Sequence, residues 1–177
     1  MAIDHPAAAR LKDKFPGVPL LAAQFKGQVQ IAVPAARFLE IVTFLKNDPA
    51  LGYDMLSDVS CVDYLNYPGR DPAKGRFGLV YIFNSIEVGK GAIPNLILRV
   101  FLDAPDLQIA SLVPLYAGAE WLEREVFDMF GITFVGHPDL RRILTWDSFV
   151  DHPLRKDYPV TGKGEREDFQ VLTRESV

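Results

Sequence analysis

The apolar positions of this chain change period along its length. Over residues 28–33, Val29, Ile31 and Val33 alternate with polar or small residues, the two-residue repeat of a half-buried strand. Pro34 follows where a helix accepts proline, in its first turn. Phe38, Ile41, Val42 and Leu45 then recur at i, i+3, i+4 and i+7, the stripe of a core-facing helix that Asn47-Asp48-Pro49 ends. Strands are predicted over 56–64, over 76–83, over 95–102 with Leu96, Leu98, Val100 and Leu102 on one face, and as a shorter piece within 109–115. Residues 84–94, with Gly89 and Gly91, read as a hairpin loop. The second helix spans 119–130, with Leu122, Val126, Met129 and Phe130 as its apolar stripe and Gly131 as its C-terminal cap. The order strand, helix, several strands, helix predicts an α+β domain over 1–132, two main helices against a mixed or antiparallel sheet.

From 133 to 177 the periodicity stops. Prolines at 138, 153 and 159 hold the backbone extended. Two similar blocks follow each other, His137-Pro138-Asp139-Leu140-Arg141-Arg142 and His152-Pro153-Leu154-Arg155-Lys156-Asp157-Tyr158-Pro159. Ordering backbone costs roughly 1–2 kcal/mol per residue, and this stretch has little apolar surface of its own to offset that. It is expected to be a long extended C-terminal tail that lies along another protein and becomes ordered there.

Composition narrows the chemistry. A chain of 177 residues, 49% hydrophobic and 24% charged, has material for one core plus an extension. A net charge of −4 argues against a general nucleic-acid binder. Cys61 is the only cysteine, which rules out an intrachain disulfide and a cysteine-ligated cluster or structural zinc, and it reads as a small buried apolar residue. No stretch approaches the ~20 apolar residues of a membrane span, and the polar first residues lack the core of a signal peptide. Gly89-Lys90-Gly91 has neither the Walker spacing nor the strand-to-helix context of a dinucleotide loop. His137, Asp139, Asp151 and His152 could in principle ligate a metal, but both histidines precede proline and neither has an i, i+4 partner, so no metal is expected. Glu123, Glu125 and Asp128, near Trp121 and Phe127, could work as acids or bases. The simpler reading pairs them with arginines of the tail or of a partner. Trp121 and Trp146 read as core or interface anchors.

Glu123-Arg124-Glu125, Asp128-Met129-Phe130-Gly131-Ile132, the run from Gly136 to Leu144 and the block from His152 to Pro159 stand in an order that resembles the C subunit of bacterial NADH-quinone oxidoreductase, the respiratory complex I. The likeness covers roughly residues 35–160. It departs at Asp151 and at Cys61, where that family usually and often, respectively, has glycine; if the family's Gly at 151 takes a positive φ, aspartate is among the few residues that tolerate it. The resemblance implies a cofactor-free member of the hydrophilic arm, peripheral on the cytoplasmic side of the inner membrane. Its tail would lie along the large quinone-site subunit, near the iron–sulfur subunit that adjoins it. FMN and iron–sulfur clusters would sit in partner subunits of a complex that passes electrons from NADH to quinone and translocates protons. The residues expected at the partner interface are Glu123, Arg124, Glu125 and Asp128 on the helix, His137, Asp139, Arg141 and Arg142 in the first block, and His152, Arg155, Lys156, Asp157 and Tyr158 in the second. No catalytic, cofactor-binding or metal-binding residue is expected in this chain. Two other readings stand beside this one. The first is the equivalent subunit of a membrane-bound hydrogenase or formate hydrogenlyase. The second is a stand-alone enzyme using Glu123, Asp128 and His137, which requires a pocket enclosing them.

Overall fold

A computed structural model describes residues 5–69, 71, 74–86 and 93–165; the glycines at 89 and 91 and the last part of the expected tail, 166–177, lie outside the described residues. The helix predicted from Phe38, Ile41, Val42 and Leu45 is α2, Phe38–Asn47, and all four residues are fully buried. A short 3-10 turn, Ala35–Arg37, leads into it after Pro34. It ends at Asp48, whose carboxylate accepts the Ala50 N–H at 2.8 Å and pairs with Arg10 at 2.6 Å. Arg10 belongs to a helix that the apolar pattern does not announce, α1, Pro6–Lys14. Its buried stripe is only Ala7 and Leu11, continued by Phe15, too thin a signal in a charged stretch. Among the described residues the domain therefore has α1 beside the two main helices that the sequence predicts.

The strands are β1 (Leu21–Phe25), β2 (Gln28–Ala32), β3 (Met55–Asp63), β4 (Phe77–Asn84) and β5 (Leu96–Leu102), arranged β1-β2-β5-β4-β3. Only β2 and β5 run parallel, so the sheet is mixed. β1 carries no alternation to read. All five of its side chains are exposed, and the turn joining it to β2 is Lys26-Gly27 with φ of 48° and 82°, a positive-φ hairpin turn without the usual asparagine or aspartate. Across the sheet Ile31, Leu98, Tyr81 and Val59 lie in register and form one row of the core, with the Phe38 ring 4.6 Å from that of Tyr81. Cys61 is buried, as expected.

The last helix, α3, spans Ala119–Phe130, and Gly131 caps it in the left-handed conformation at φ 71°. The chain then runs straight into β7, Thr133–Val135, which pairs in parallel with β6, Gln108–Ala110. Ile132 and Phe134 are both buried in the common core. Beyond β7 the backbone forms turns and no further strand up to residue 165.

Candidate interface on the last helix

The residues after β7 turn back onto α3 and find their partners in this chain. Asp128, fully buried on α3, is the centre. Its Oδ2 accepts the backbone N–H groups of Ile143, Leu144 and Thr145 at 3.0, 2.7 and 3.0 Å, and its Oδ1 accepts Arg142 Nη1 at 2.8 Å and the Thr145 hydroxyl. Burial alone would push this carboxyl up, but the bonds from Thr145, Leu144 and Arg142 outweigh it and hold the pKa at about 2. Arg142 also donates Nη2 to the Asp151 carbonyl at 3.0 Å, and its guanidinium lies 5.6 Å from the centre of the Phe149 ring.

The second block seats on the end of α3. His152 Nδ1 donates to the Asp128 carbonyl at 2.9 Å, Arg155 Nε donates to the Phe130 carbonyl at 2.6 Å and the Leu154 N–H to the Met129 carbonyl at 3.2 Å. These carbonyls belong to the last turn of the helix, which has no acceptor-satisfying turn of its own beyond Gly131. Burial lowers the pKa of both His152 and Arg155. Both side chains lie against Gly131, where a Cβ would come within 2.4 Å of His152 Nε2 and 2.5 Å of Arg155 Nη2. A second clamp holds the following residues to the sheet. Asp63, at the end of β3, takes Arg76 in a two-point pair at 2.9 and 2.6 Å and also accepts the Lys156 N–H at 2.8 Å. Burial pushes the Asp63 carboxyl up, yet these bonds and that of Leu65 N–H bring it below the usual value. The same Arg76 grips Asp157 at 2.9 and 2.8 Å and holds its carboxyl low.

The predicted interface residues thus divide. Arg124 and Asp128 face the returning segment: Arg124 Nε donates to the Arg141 carbonyl at 3.1 Å, and its guanidinium stacks 4.9 Å from the centre of the exposed Trp121 ring. Asp139 pairs with Arg141 at 2.9 Å. His137 accepts the Asp139 N–H on Nδ1 at 3.0 Å and donates Nε2 to the Glu120 carbonyl, also at 3.0 Å. Glu123 departs from the expected arginine pairing. It points into the domain, where Ser111 Oγ and the Leu112 N–H donate to it, each at 2.6 Å. Burial raises its pKa against those two bonds. Glu125 is exposed on the outer side of the helix and makes no ion pair among the described residues. Tyr158 donates to Glu165 at 2.7 Å, and the Lys156 side chain is exposed. Sequence reasoning missed Asp63, Arg76 and Thr145, because nothing local marks an acid at 63 as the acceptor for an amide at 156.

The expectation that the tail would need another protein to satisfy its polar groups is corrected over residues 137–158. Asp63, Asp128 and the last carbonyls of α3 supply those partners from within the chain. The stand-alone enzyme reading requires a pocket around Glu123, Asp128 and His137; both carboxylates are fully buried and hydrogen-bonded within the chain. Among the described residues no group of three His, Cys, Asp or Glu side chains is placed to hold a metal. Asp151 is not among the residues with positive φ, so its replacement of glycine strains nothing. The outer side of the seated segment is mixed: Arg141, Asp147, Lys156 and Asp157 are exposed, and so are several apolar side chains. Leu144, Val150 and Leu154 are 62%, 81% and 53% exposed, and a groove of about 790 Å³ runs between Leu144, Trp146, Phe149, Tyr158 and Val160.

This α+β body with its seated C-terminal segment belongs to the family of the 30 Kd subunit of respiratory-chain NADH dehydrogenase, whose model matches residues 31–164. It is 41% identical to the C subunit of NADH-quinone oxidoreductase from Citrifermentans bemidjiense over 96% of this chain and 98% of that one. It is equally 41% identical to the corresponding NADH-quinone oxidoreductase subunit of Geobacter metallireducens over 93% and 94%. Among solved structures, a trypsin-resistant fragment (1-134) of Nqo5 superposes with a TM-score of 0.64 at 33% identity, covering 76% of this chain and 99% of the fragment. A chain of the archaeal membrane-bound sulfane sulfur reductase shares the fold alone, with a TM-score of 0.65 at 20% identity. The chain is thus a subunit of the NADH-quinone oxidoreductase family, a membrane-associated complex, and no helix among the described residues is long and apolar enough to cross a membrane.

Proposed function

We propose that this chain is a cofactor-free docking subunit of the hydrophilic arm of NADH-quinone oxidoreductase. It supports assembly and the quinone-site subunit while partner subunits carry FMN and the iron–sulfur clusters, and it sits peripherally on the cytoplasmic side of the membrane. The observation that carries this reading is the segment 137–158. Part of its polar groups is taken up by Asp63, Asp128 and the end of α3, while Leu144, Val150 and Leu154 are exposed and Leu144 borders an open groove. Exposed apolar side chains rimmed by polar ones mark interaction sites. A preformed one binds without repeating the ordering cost. The large quinone-site subunit and the adjoining iron–sulfur subunit are the proposed neighbours, on the strength of the family likeness.

The test is affinity purification of the tagged full chain from membranes, followed by native mass spectrometry. The expected result is recovery with the other NADH-quinone oxidoreductase subunits, the quinone-site and iron–sulfur subunits in direct contact. Recovery alone, or with the large subunit of a hydrogenase-type complex, overturns the proposal. Metal analysis and a visible spectrum of the isolated chain complete the test, since a reproducible one-to-one cofactor would contradict the cofactor-free reading.

A further inference from the structure

The helices gather on one face of the five-stranded sheet. Ala8 and Ala9 of α1 border a cavity with Ala22 and Ile31, Phe38 of α2 rests on Tyr81, and α3 runs along β3. Side chains alternate across a sheet, so the opposite face is formed by the other set of positions. At its centre these are Ala32, Ile97, Arg99, Phe101, Val80 and Ile82, all but Ile97 at least partly exposed, and the polar Gln30, Ser60 and Asn84 share the face around them. Phe25 and Leu21 extend the same face at the β1 edge, 65% and 60% exposed, and Val62 extends it at the β3 edge.

Arg99 stands in the middle of this surface. Its cross-strand neighbours are Ala32 and Val80, and its neighbours along the strand are Ile97 and Phe101, none of them charged. The Tyr64 hydroxyl accepts Arg99 Nη1 at 2.9 Å. Tyr64 itself covers Gly78, where a Cβ would come within 2.7 Å of its ring. Arg99 Nε is buried and meets no acceptor, and among the described residues no carboxylate pairs with this side chain. Asp58, on the same face opposite Ile82, makes no ion pair with it. A guanidinium half withdrawn from water, without a counter-charge and ringed by apolar groups, is unfavourable in the free chain, and a carboxylate arriving from outside relieves it.

We infer that this open face is a second docking surface, occupied by an apolar element of a neighbouring subunit that carries a carboxylate paired with Arg99. The inference rests on the reading of the chain as part of a multi-subunit complex. It places a contact on the far side of the sheet from the helices, so that the chain is held by two surfaces rather than one.

The experiment places a photo-crosslinking amino acid at Ile82 of the full chain, in cells that make the complex, and maps the linked peptide. The expected result is a link to another subunit, in a segment with apolar residues around an aspartate or glutamate. Arg99→Glu should then lower the yield of assembled complex at least about tenfold, and reversing that partner carboxylate to arginine should restore it. A link only to a second copy of this chain overturns the inference. So does assembled complex with no link at Ile82, or Arg99→Glu that assembles as the parent does. These outcomes all require that the complex forms, so they are distinct from failure to recover the complex at all, which would count against the proposed function instead.

Discussion

Asp128 and Glu123 lie five residues apart on one helix, both fully buried, and their pH behaviour has opposite sign. Asp128 titrates at about 2 in the folded chain against 3.8 ordinarily. Its contribution is present above pH 3.8 and is lost as the pH falls through about 2. The linkage corresponds to roughly 2 kcal/mol. Asp128→Ala leaves Arg142 and three amides without their acceptor, and should cost about 3–5 kcal/mol in a urea titration at neutral pH. Glu123 has its folded pKa raised by burial, so its contribution is fully present below its unfolded pKa and is lost as the pH rises through the folded one. Glu123→Gln should flatten the stability–pH curve over that interval, and a curve unchanged by the substitution would contradict the raised pKa. The sequence shows that acids crowd this helix, and the pairing of Asp128 with an arginine of the returning segment follows from it. It does not show that Glu123 faces Ser111 instead, since that depends on where the loop before α3 passes.

At the scale of elements, Gly131 joins helix to returning segment. Gly131→Ala puts a side chain at φ 71°, where a non-glycine residue costs about 1–2 kcal/mol. It also drives His152 and Arg155 off the helix end. Thermal melting should show a lower Tm, and limited trypsin digestion should show faster cleavage at Arg155. Helix α3 is legible to the residue, and α2 in its stripe and its end, because stripe, cap and stop signals are local; Pro34, expected in the first turn of α2, precedes a 3-10 turn instead. α1 and β1 are not legible, one having too few buried positions and the other none. The prolines of the returning segment predict an extended run, whereas up to residue 165 it is a succession of turns, among them Trp146 to Phe149, His152 to Arg155 and Arg155 to Tyr158. Its docking was not legible, because its acceptors are fixed by tertiary approach. Asp63 and the Lys156 amide come together only when β3 and the last turn of α3 share an edge.

The whole molecule is a sheet with helices on one face and a fastened C-terminal segment. Ending the chain after Phe134 removes every donor to Asp128 from the returning segment, together with Lys156 and Asp157 at the sheet. The shortened chain should keep its core, in which Phe134 is the last buried residue, and lose binding to the large subunit. The segment 137–158 is seated on the chain's own helix and sheet before any partner arrives. Hydrogen exchange on the isolated chain and on the assembled complex tests it most directly. Slow exchange is expected at the amides of Ile143, Leu144, Thr145 and Lys156 in both, with added protection across 146–150 only in the complex. Free exchange at those four amides in the isolated chain, or no added protection on assembly, would contradict it.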